Sequence, residues 1–368
     1  MKKIFAINLG STSTKTVYYE DSACKCEGNI QHKAEDIKKF HTVWEQFEYR
    51  KKDILAFMKD NGIDFYDIDA FTSRGGHTIP LISGVYEITD LMLEQSGSEK
   101  YGNHITDVGI KLASIFAKEN GKALALTVDP PVTDEFEPLA RYSGLPEMPR
   151  VSSFHALNHK AVAKQYAEDI NRKYEDLNLV VCHMGGGTSC AAHRLGRMID
   201  GTNGLEGDGP FSTNRTGALP VGALINACYS GKYSSKEMHR MVNGLGGMMA
   251  YVNDSDVKTV AEKALSGDHK CREVLEAMMY QTAKEIAAMA AVLNGKVDVI
   301  LVTGGIAHSK YLIDILKERV SFIAEVIVYP GEYEMRSLAM NSYKALTGEV
   351  EIKNFDKTAD AAKQEERP

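Results

Sequence analysis

Two arginines lie between small residues, in Ser73-Arg74-Gly75-Gly76 and in Asn214-Arg215-Thr216-Gly217. An arginine in a loop is ordinarily a solvated charge, but glycine neighbours leave room for a ligand to reach the guanidinium. That planar group holds carboxylates and phosphates through two parallel hydrogen bonds. Each arginine therefore has two interpretations, a surface charge or a clamp for a small anion.

Two further polar residues stand where apolar runs end. Asp129 follows residues 124–128 and precedes two prolines, which continue neither a sheet nor a helix. Ligand groups sit at such strand ends in open α/β sheets. Asp129 could hold Mg²⁺ through water or orient a nucleophile, or it could be a turn residue. Asn8 likewise follows an apolar run, residues 4–7, and precedes Gly10. It could form a turn, or it could bind phosphate or a metal-bound water.

The histidines suggest more than one chemistry. Phe154-His155-Ala156-Leu157-Asn158-His159 places two imidazoles four residues apart, on one helical face. This spacing can bind zinc, but neither a third ligand nor the glutamate of HExxH accompanies it, so we do not expect a metalloprotease. His183 could donate to a phosphate, or it could be a strand-end histidine without a ligand.

Three apolar runs lead into turns rich in glycine. Residues 179–182 precede Gly185, Gly186 and Gly187, residues 4–7 precede Gly10, and residues 299–303 precede Gly304 and Gly305. Glycine lets backbone N–H groups approach an anion closely. None of the three is a Walker A or GxGxxG loop, but together they indicate a nucleotide clamp. With the arginines and Asp129 they fit phosphoryl transfer, in which a protein mainly positions groups and neutralises charge.

The elements that position these residues follow a repeated pattern. Strands are predicted at residues 3–9, 14–19 and 24–34, and again at 179–182, 190–195 and 198–201. Two units of strand, glycine loop and hairpin, about half a chain apart, indicate an internally duplicated α/β architecture. The apolar periodicity predicts helices at residues 43–61, 107–121, 272–293, 309–319 and 334–346. The methionines of the third of these helices, 272–293, are interpreted as core residues rather than as the lining of a ligand groove.

Glycine and proline mark a domain boundary. Gly144, Pro146 and Pro149 predict a linker at 141–150. We expect a first domain at 1–148 that includes a closing C-terminal helix at 331–350, and a second domain at 149–330. The glycine-rich stretch 201–220 is long enough to suggest a functional loop. Residues 353–368 are charged and predict a frayed tail.

Composition narrows the classes of partner. The chain has 368 residues, 43% hydrophobic and 25% charged, with a net charge of −7 and no long block of one sign. This disfavours a nucleic-acid or membrane partner. The first apolar run is too short for a signal peptide. Six scattered cysteines without CxxC or zinc spacing predict a reduced, cytoplasmic protein.

Nine motifs in order resemble those of the butyrate kinases, which belong to the acetokinase family in the actin-like and sugar-kinase superfamily. The resemblance extends from about residue 3 to 350. The motifs are Ile7-Asn8-Leu9-Gly10-Ser11-Thr12, Ser73-Arg74-Gly75-Gly76, Val128-Asp129-Pro130, Phe154-His155-Ala156-Leu157-Asn158, His183-Met184-Gly185-Gly186-Gly187, Asp208-Gly209-Pro210-Phe211-Ser212, Ala283-Lys284-Glu285-Ile286, Thr303-Gly304-Gly305-Ile306-Ala307 and Tyr329-Pro330-Gly331-Glu332.

The resemblance implies two ribonuclease-H-like domains of the actin-like ATPase class, with a nucleotide in the cleft between the domains. It implies reversible, Mg²⁺-dependent transfer of a phosphoryl group between ATP and a short-chain carboxylate, giving acyl phosphate and ADP. The expected acid is butyrate or a branched acid of four or five carbons. We also expect a homo-oligomer, a dimer or higher.

The same resemblance implies roles for single residues. Arg74 and Arg215 would bind the carboxylate and the transferring phosphoryl group, Asp129 would act near the attacking carboxylate, and His155 would donate to phosphoryl oxygens. Asn8 and Glu332 would support Mg²⁺, although Glu334 is two residues away and remains an alternative. Both glutamates could equally serve only the dipole of the following helix. The nucleotide would lie along His183, Gly185, Gly186, Gly187, Gly304 and Gly305.

The expected acyl pocket contains Gly76, His104 and Phe154. Acetate kinases carry valine at the position of Gly76, so its missing side chain would leave room for a longer acyl tail. Leu9 stands where the family has proline, and residues 77–80 and 103–107 also depart from its pattern. Since each buried CH₂ contributes roughly 0.8 kcal/mol, we expect modest selectivity between neighbouring chain lengths.

Three alternatives remain at this point. The first is the same chemistry on acetate, propionate or a bulkier acid. The second is a non-catalytic, actin-like ATP switch, which has no need for a carboxylate clamp. The third is a sugar kinase, which no feature of the sequence supports.

Overall fold

The computed structural model describes residues 1–365, apart from the side chains of Ala34 and of residues 361–365. The strands are β1 Lys3–Leu9, β2 Ser13–Glu20, β3 Ala23–Gln31, β4 Ala70–Ser73, β5 Val85–Glu87, β6 Leu124–Val128, β7 Asn178–Met184, β8 Thr188–Arg194, β9 Arg197–Gly201, β10 Val299–Gly304, β11 Val326–Pro330 and β12 Ile352–Asn354.

The α-helices alternate with these strands or follow them. They are α1 Ala34–Ile37, α2 Phe47–Asp60, α3 Asp90–Gly97, α4 Ile105–Asn120, α5 Ala156–Asp169, α6 Val221–Cys228, α7 Ser235–Val242, α8 Met248–Val252, α9 Val257–Leu265, α10 His269–Val292, α11 Lys310–Val320, α12 Glu334–Leu346 and α13 Phe355–Glu365.

The chain forms two compact units. The first contains Met1–Asp134 together with the residues from Tyr333 onward, and the second is Glu135–Glu332. Residues 135–148, which the sequence grouped with the first domain, thus pack within the second unit. A 3-10 helix at Pro138–Arg141 occupies part of this segment.

The sheet of the first unit has seven strands in the order β12-β5-β6-β4-β1-β2-β3. β1 is central, antiparallel to β2 and parallel to β4, and β4 is parallel to β6. β1 is apolar and buried along almost its whole length, as expected for a central strand that is covered on both faces. The parallel strands therefore end side by side, and Asn8, Arg74 and Asp129 lie at or just after these ends.

The sheet of the second unit repeats this arrangement. Its order is β11-β10-β7-β8-β9, in which β7 is antiparallel to β8 and parallel to β10. Strands β6-β4-β1-β2-β3 and β11-β10-β7-β8-β9 therefore correspond one to one. Even the register irregularity recurs, at Tyr18/Tyr19 between β2 and β3 and at Ala192/His193 between β8 and β9. The predicted internal duplication is confirmed.

Helix α10 forms the core of the second unit. Met278, Met279, Ile286 and Met289 are buried in one apolar cluster with strand residues of the sheet. The interpretation of these methionines as core residues is confirmed. Burial of an unbranched, flexible side chain suits the irregular gaps between a helix and a twisted sheet.

Two expectations about local structure were wrong. The sequence predicted a frayed tail at 353–368, but Ile352–Asn354 forms β12 and Phe355–Glu365 forms α13. β12 extends the first sheet beside β5, and Phe355 and Ala359 bury their side chains in its core, which holds this segment in place. Residues 366–368 lie outside the described residues. The second miss is the segment after residue 220, where α6 to α9 were not predicted at all.

No helix among residues 1–365 combines the length and the apolar character needed to cross a bilayer.

Candidate active site

In the first unit, two of the polar residues at strand ends meet at one carboxylate, that of Glu334. Glu334 Oε2 accepts hydrogen bonds from Asn8 Nδ2 at 2.7 Å and from Arg74 Nη1 at 2.9 Å. Glu334 is the first residue of α12 and is only 3% exposed. Because a buried carboxylate is costly without partners, the amide and the guanidinium stabilise it here.

The carboxylate that Asn8 contacts is thus Glu334, two residues after Glu332. Glu332 belongs to the second unit, at the boundary between the two chain segments. The sequence left the choice between these glutamates open, since both precede or begin the same helix.

Asp129 has a strained backbone and an incompletely satisfied carboxylate. Its φ is 42°, a left-handed conformation that side chains other than glycine rarely adopt. Oδ1 accepts hydrogen bonds from Ser83 Oγ at 2.6 Å and from the Gly84 amide at 2.8 Å. Oδ2 is buried with no hydrogen-bond partner among the described residues. Strain together with an unpartnered buried oxygen is typical of a functional position.

The segment after Arg74 is held by Asp107 of α4. Asp107 Oδ1 accepts from the amides of Gly76 at 3.1 Å and His77 at 3.0 Å, and its carboxylate also contacts His77 Nδ1 at 2.9 Å. Burial acts to raise the pKa of Asp107, but these hydrogen bonds outweigh it and hold that pKa below its ordinary value. His104 caps α4 and donates its amide to Asp107 Oδ2 at 3.0 Å. Gly76 and His104 are therefore close together in the first unit.

Gly76 is required for its backbone as well as for its size. Its φ is 101°, so any side chain there would be strained. A Cβ built on it would contact Met92, Ile110 and Pro130 at 3.7 to 4.0 Å, which places the residue against an apolar wall. The sequence explained this glycine only by the room it leaves.

Arg50 is a site-supporting residue that the sequence analysis missed. This fully buried guanidinium donates to the carbonyls of Ser13 at 2.9 Å and Gly10 at 3.1 Å, and to Thr14 Oγ1 at 2.8 Å. Burial lowers its pKa to about 10. It thus fixes the turn between β1 and β2, directly after Asn8. No local pattern marks it, because a single arginine within a helix is usually exposed.

In the second unit, the loop between β7 and β8 forms a tight turn. The Gly185 amide donates to the Gly187 carbonyl at 2.9 Å, and Ser212 Oγ donates to the Gly186 carbonyl at 2.7 Å. Gly304 has φ of 92°, and a Cβ there would clash with the backbone of Met184. Glycine at 304 thus allows the ends of β7 and β10 to approach each other closely.

The guanidinium of Arg215 lies against this loop. A Cβ built on Gly187 would clash with Arg215 Nη1. Burial lowers the pKa of Arg215. Among the described side chains no carboxylate forms an ion pair with it, in contrast to Arg74. A half-buried cation without a counter-charge, beside backbone N–H groups, is suited to an anionic ligand.

Two histidines stack beside the same loop. The rings of His155 and His183 lie face to face, with centroids 4.0 Å apart and planes 18° from parallel. Asn158 Nδ2 lies 2.9 Å from His183 Nδ1 and 3.3 Å from Thr303 Oγ1, so it links β7 to β10. His155 Nδ1 lies 2.8 Å from Ser189 Oγ on β8. These contacts bring together side chains of α5, β7, β8 and β10.

A pocket of about 760 Å³ opens next to these groups. Gly185, Gly186 and Gly305 line it together with Thr213 and Asn214. Its other walls are contributed by α9 and by the segment before α11, and they combine apolar with polar side chains. The pocket has the size and the mixed lining of a cofactor or nucleotide site.

Phe154, the third residue of the expected acyl pocket, belongs to the second unit, whereas Gly76 and His104 belong to the first. Its ring stacks on Phe136 with centroids 6.1 Å apart, and its edge faces His159 at 5.2 Å. It is buried in a small cluster that includes Ala191 and Met198. These contacts explain the residue as core packing.

Comparison with known proteins identifies the family. The chain is 46% identical over 356 residues to a probable butyrate kinase of Clostridium botulinum, covering 96% of this chain and 99% of that protein. It is 43% identical over 355 residues to butyrate kinase 1 of Clostridium acetobutylicum, covering 96% of this chain and all of the relative (100%). The chain belongs to the acetokinase family. The family's sequence model matches residues 148–322, within the second unit.

Solved structures confirm the fold class. The acetate kinase of Porphyromonas gingivalis superimposes with a TM-score of 0.74 at 19% identity, covering 94% of this chain and 99% of that one. A propionate kinase of Francisella tularensis superimposes with a TM-score of 0.73 at 18% identity, covering 93% of this chain and 99% of that one. The duplicated α/β architecture of the actin-like class, expected from the motifs, is thus the fold of this acetokinase family member.

Proposed function

We propose that this protein is a carboxylate kinase of the butyrate kinase type. A carboxylate oxygen attacks the γ-phosphorus of ATP, the bond from that phosphorus to the β–γ bridging oxygen breaks, and acyl phosphate and ADP result. The acid is already ionised at neutral pH, so no strong general base is required. Support comes from relatives named butyrate kinase that are 43% and 46% identical over 96% of the chain.

The observation that carries the proposal is the position of Arg215. Its guanidinium lies on the Gly185–Gly187 turn without a carboxylate partner, and the pocket of about 760 Å³ opens beside the same turn. We assign ATP to that pocket and its phosphates to the turn. Arg215 then stabilises the charge on the transferring group. The stacked His155 and His183 supply further ring N–H donors beside the same turn.

In the first unit we assign the acid to Arg74. The guanidinium already contacts Glu334 through one nitrogen, Nη1 at 2.9 Å, which leaves further N–H groups for a substrate carboxylate. The wall of Met92, Ile110 and Pro130 beyond Gly76 is apolar and suits an alkyl tail. Asp129 orients the attack through its unpartnered Oδ2.

The residues fit Mg²⁺ in the way that kinases usually hold it. Mg²⁺ takes one or two protein carboxylates and completes its shell with water and substrate phosphates. The described residues contain no cluster of three or more acidic, histidine or cysteine side chains suited to a metal. The buried Oδ2 of Asp129 and the pair Asn8–Glu334 would hold its waters, and we take Glu334 rather than Glu332 for this role. When bound, the ion neutralises phosphate charge.

The test is acyl-hydroxamate formation with ATP, Mg²⁺ and hydroxylamine across acetate, propionate, butyrate, isobutyrate, valerate and phenylacetate. We expect a maximum at four or five carbons, with neighbouring acids within roughly ten-fold because one CH₂ contributes only about 0.8 kcal/mol. A maximum at acetate or propionate would move the proposal to those acids. Binding of ATP without product from any acid would favour the nucleotide switch instead, and a hexose-dependent loss of ATP would favour a sugar kinase.

We also propose that the protein self-associates through α6. This helix contains no charged residue and none of its residues is buried, with Ile225 51% and the following Tyr229 88% exposed. A second copy that brings the same helix would cover both apolar surfaces. Light scattering should report a dimer or higher for the wild type and a lower mass for Ile225→Glu. A wild-type monomer would contradict this.

A reducing, cytoplasmic location is the last part of the proposal. The six cysteines are free, including Cys182 and Cys190, whose sulfurs are 3.1 Å apart on paired strands. Such neighbours would be candidates for a disulfide in an oxidising compartment. Titration of six thiols in protein isolated under alkylating conditions would support this, and four would contradict it.

A further inference from the structure

Behind His155, five side chains of the second unit form one continuous line of close polar contacts. Tyr174 Oη lies 2.7 Å from His193 Nδ1, and His193 Nε2 lies 3.4 Å from His159 Nδ1. His159 Nε2 lies 3.0 Å from Ser189 Oγ, which lies 2.8 Å from His155 Nδ1. All members except His155 are buried. The line thus leads from the interior to one side chain of the proposed phosphate site.

The line follows from the spacing of two elements. His155 and His159 are four residues apart at the start of α5, and Ser189 and His193 are four residues apart on β8. Residues i and i+4 share a face on a helix and also on a strand. Since α5 packs on this sheet, the two pairs interleave, with Ser189 between His155 and His159.

Both interior histidines are neutral. Burial, with a smaller electrostatic contribution from the neighbouring His183, holds the pKa of His159 well below its ordinary value. Burial also does so for His193, assisted by the neighbouring His159 and Lys160. A neutral imidazole has one donor and one acceptor nitrogen. The hydrogen bonds that His193 and His159 make must therefore run in one direction, and because Ser189 Oγ contacts only His159 and His155 among the described side chains, its own proton is available to His155 when His159 donates to it.

The direction follows from the two ends of the line. The phenol O–H of Tyr174 is more acidic than a neutral imidazole N–H, so Tyr174 donates to His193 Nδ1. His193 Nε2–H then faces His159 Nδ1, and His159 Nε2–H donates to Ser189. The backbone of Ser189 also interacts with His159, which favours a proton on that side. Ser189 is left to donate its hydroxyl proton to His155 Nδ1.

A separate contact, from Asn158, sets the same tautomer in His183, which stacks on His155. Thr303 Oγ1 donates to the Gly331 carbonyl at 3.1 Å, so it accepts from Asn158 Nδ2. This fixes the orientation of the Asn158 amide, whose second N–H then donates to His183 Nδ1. Because its Nδ1 accepts from Asn158, the ring proton of His183 lies on Nε2, the atom nearest to a Cβ built on Gly185, at 3.1 Å.

We propose that Ser189, His159, His193 and Tyr174 are positioning residues that hold His155 as the tautomer protonated on Nε2. In this tautomer the N–H of His155 lies on the ring edge opposite Ser189, where it can donate to an anion. The opposite tautomer would present a lone pair, which repels a phosphoryl oxygen. The use of this N–H in phosphoryl transfer rests on the proposed function, whereas the tautomer does not.

The experiment is a long-range ¹H–¹⁵N correlation spectrum of the ligand-free, full-length protein with ¹⁵N-labelled histidine. The His155 signals are assigned by their loss in His155→Gln. We expect wild-type His155 to show protonated Nε2 and unprotonated Nδ1. In Ser189→Ala the Nδ1 atom loses its donor, so we expect a shift toward the average of the two tautomers. Ser189→Thr keeps the hydroxyl and should keep the wild-type pattern.

A second variant, Tyr174→Phe, keeps the tautomer testable if Ser189→Ala does not fold. Tyr174→Phe removes one hydroxyl at the far end and leaves every contact of His155 in place. We expect the His193 signals to change tautomer and those of His155 to follow in part. In turnover, Ser189→Ala should lower kcat roughly ten-fold with both KM values within two-fold, as for other residues that orient a functional histidine, and Ser189→Thr should restore it.

Two results would overturn the inference. One is a wild-type His155 protonated on Nδ1, and the other is an unchanged His155 tautomer in folded Ser189→Ala. Because the spectra need no substrate, a protein that shows the expected tautomer but no kinase activity would contradict only the proposed function. An active kinase in which the His155 tautomer does not respond to Ser189→Ala would contradict only the positioning role of Ser189, His159, His193 and Tyr174.

Discussion

The two units share a five-stranded arrangement and place different chemistry at matching strand ends. In the first unit the end of β1 carries Asn8, and this residue joins Arg74 and Glu334 in a charge-paired group. In the second unit the corresponding end of β7 carries His183, which stacks on His155. The duplicated sheet thus supplies positions, and each half fills them with a different set of polar groups.

The arginines make the same contrast. Arg50 is fully buried and is satisfied by loop carbonyls, Thr14 and Gln46. Arg215 lies against Gly187 without a carboxylate partner among the described side chains. A guanidinium whose donors are used within the protein stabilises the fold, whereas one without a counter-charge is available to a ligand. The comparison predicts opposite consequences when each is removed.

The largest effect is expected for Arg215→Ala. Loss of a guanidinium that neutralises the transferring group should lower kcat roughly 10³-fold, while the free energy of unfolding stays within about 0.5 kcal/mol because no ion pair is broken. Arg74→Ala should instead also destabilise the protein, by about 1–3 kcal/mol, because buried Glu334 loses a partner. Hydroxamate kinetics and urea unfolding measure the two quantities.

Arg215→Lys is the matched control, since it keeps the charge and loses the fork, and it should retain part of the activity. Turnover near that of the wild type in folded Arg215→Ala would remove this arginine from the reaction. Equal destabilisation by Arg215→Ala and Arg74→Ala would remove the contrast between the two units.

The next effect concerns stability. Arg50→Met keeps most of the side-chain volume but removes the guanidinium donors to the carbonyls of Gly10 and Ser13 and to Thr14 Oγ1, so we expect a loss of about 3 kcal/mol. Its neighbour Lys51 pairs with Glu119 at 2.6 Å near the surface, and Lys51→Met should cost less than about 1 kcal/mol. Similar urea midpoints for the two variants would show that Arg50 does not hold the first loop.

The smallest effect is expected within the glycine turn of the second unit. A Cβ at Gly187 would displace the Arg215 guanidinium, so Gly187→Ala should lower kcat roughly ten-fold or more through lost positioning. A Cβ at Gly144, outside the pocket and the turn, meets nothing within 4 Å, so Gly144→Ala serves as the control and should stay within about two-fold. Equal activity in the two variants would mean that the loop does not position Arg215.

Much of the fold could be predicted from local pattern. β1 was predicted at its observed bounds, α12 likewise, and the two β-hairpin units and the duplication followed from strands that run into glycine turns. These elements have strong periodicity and clear end signals, which act over a few residues. The prediction for the C-terminal segment was wrong. Its charges suggested a tail, whereas the buried Phe355 and Ala359 anchor a helix in the core.

The candidate residues were also visible in the sequence, as glycine-flanked arginines, a strand-end aspartate and two histidines four residues apart. The amino-acid types and their spacing determine which groups can bind anions and on which face of an element they lie. Only the tertiary structure determined that Glu334 contacts Asn8 and Arg74. The same holds for the hydrogen bonds of Arg50 to the loop after β1, and for the position of Ser189 between two histidines. Asn8 and Glu334 are 326 residues apart in the chain, and they meet because the end of a strand and the start of a helix pack side by side in the folded unit. Local periodicity contains no information about such a long-range contact.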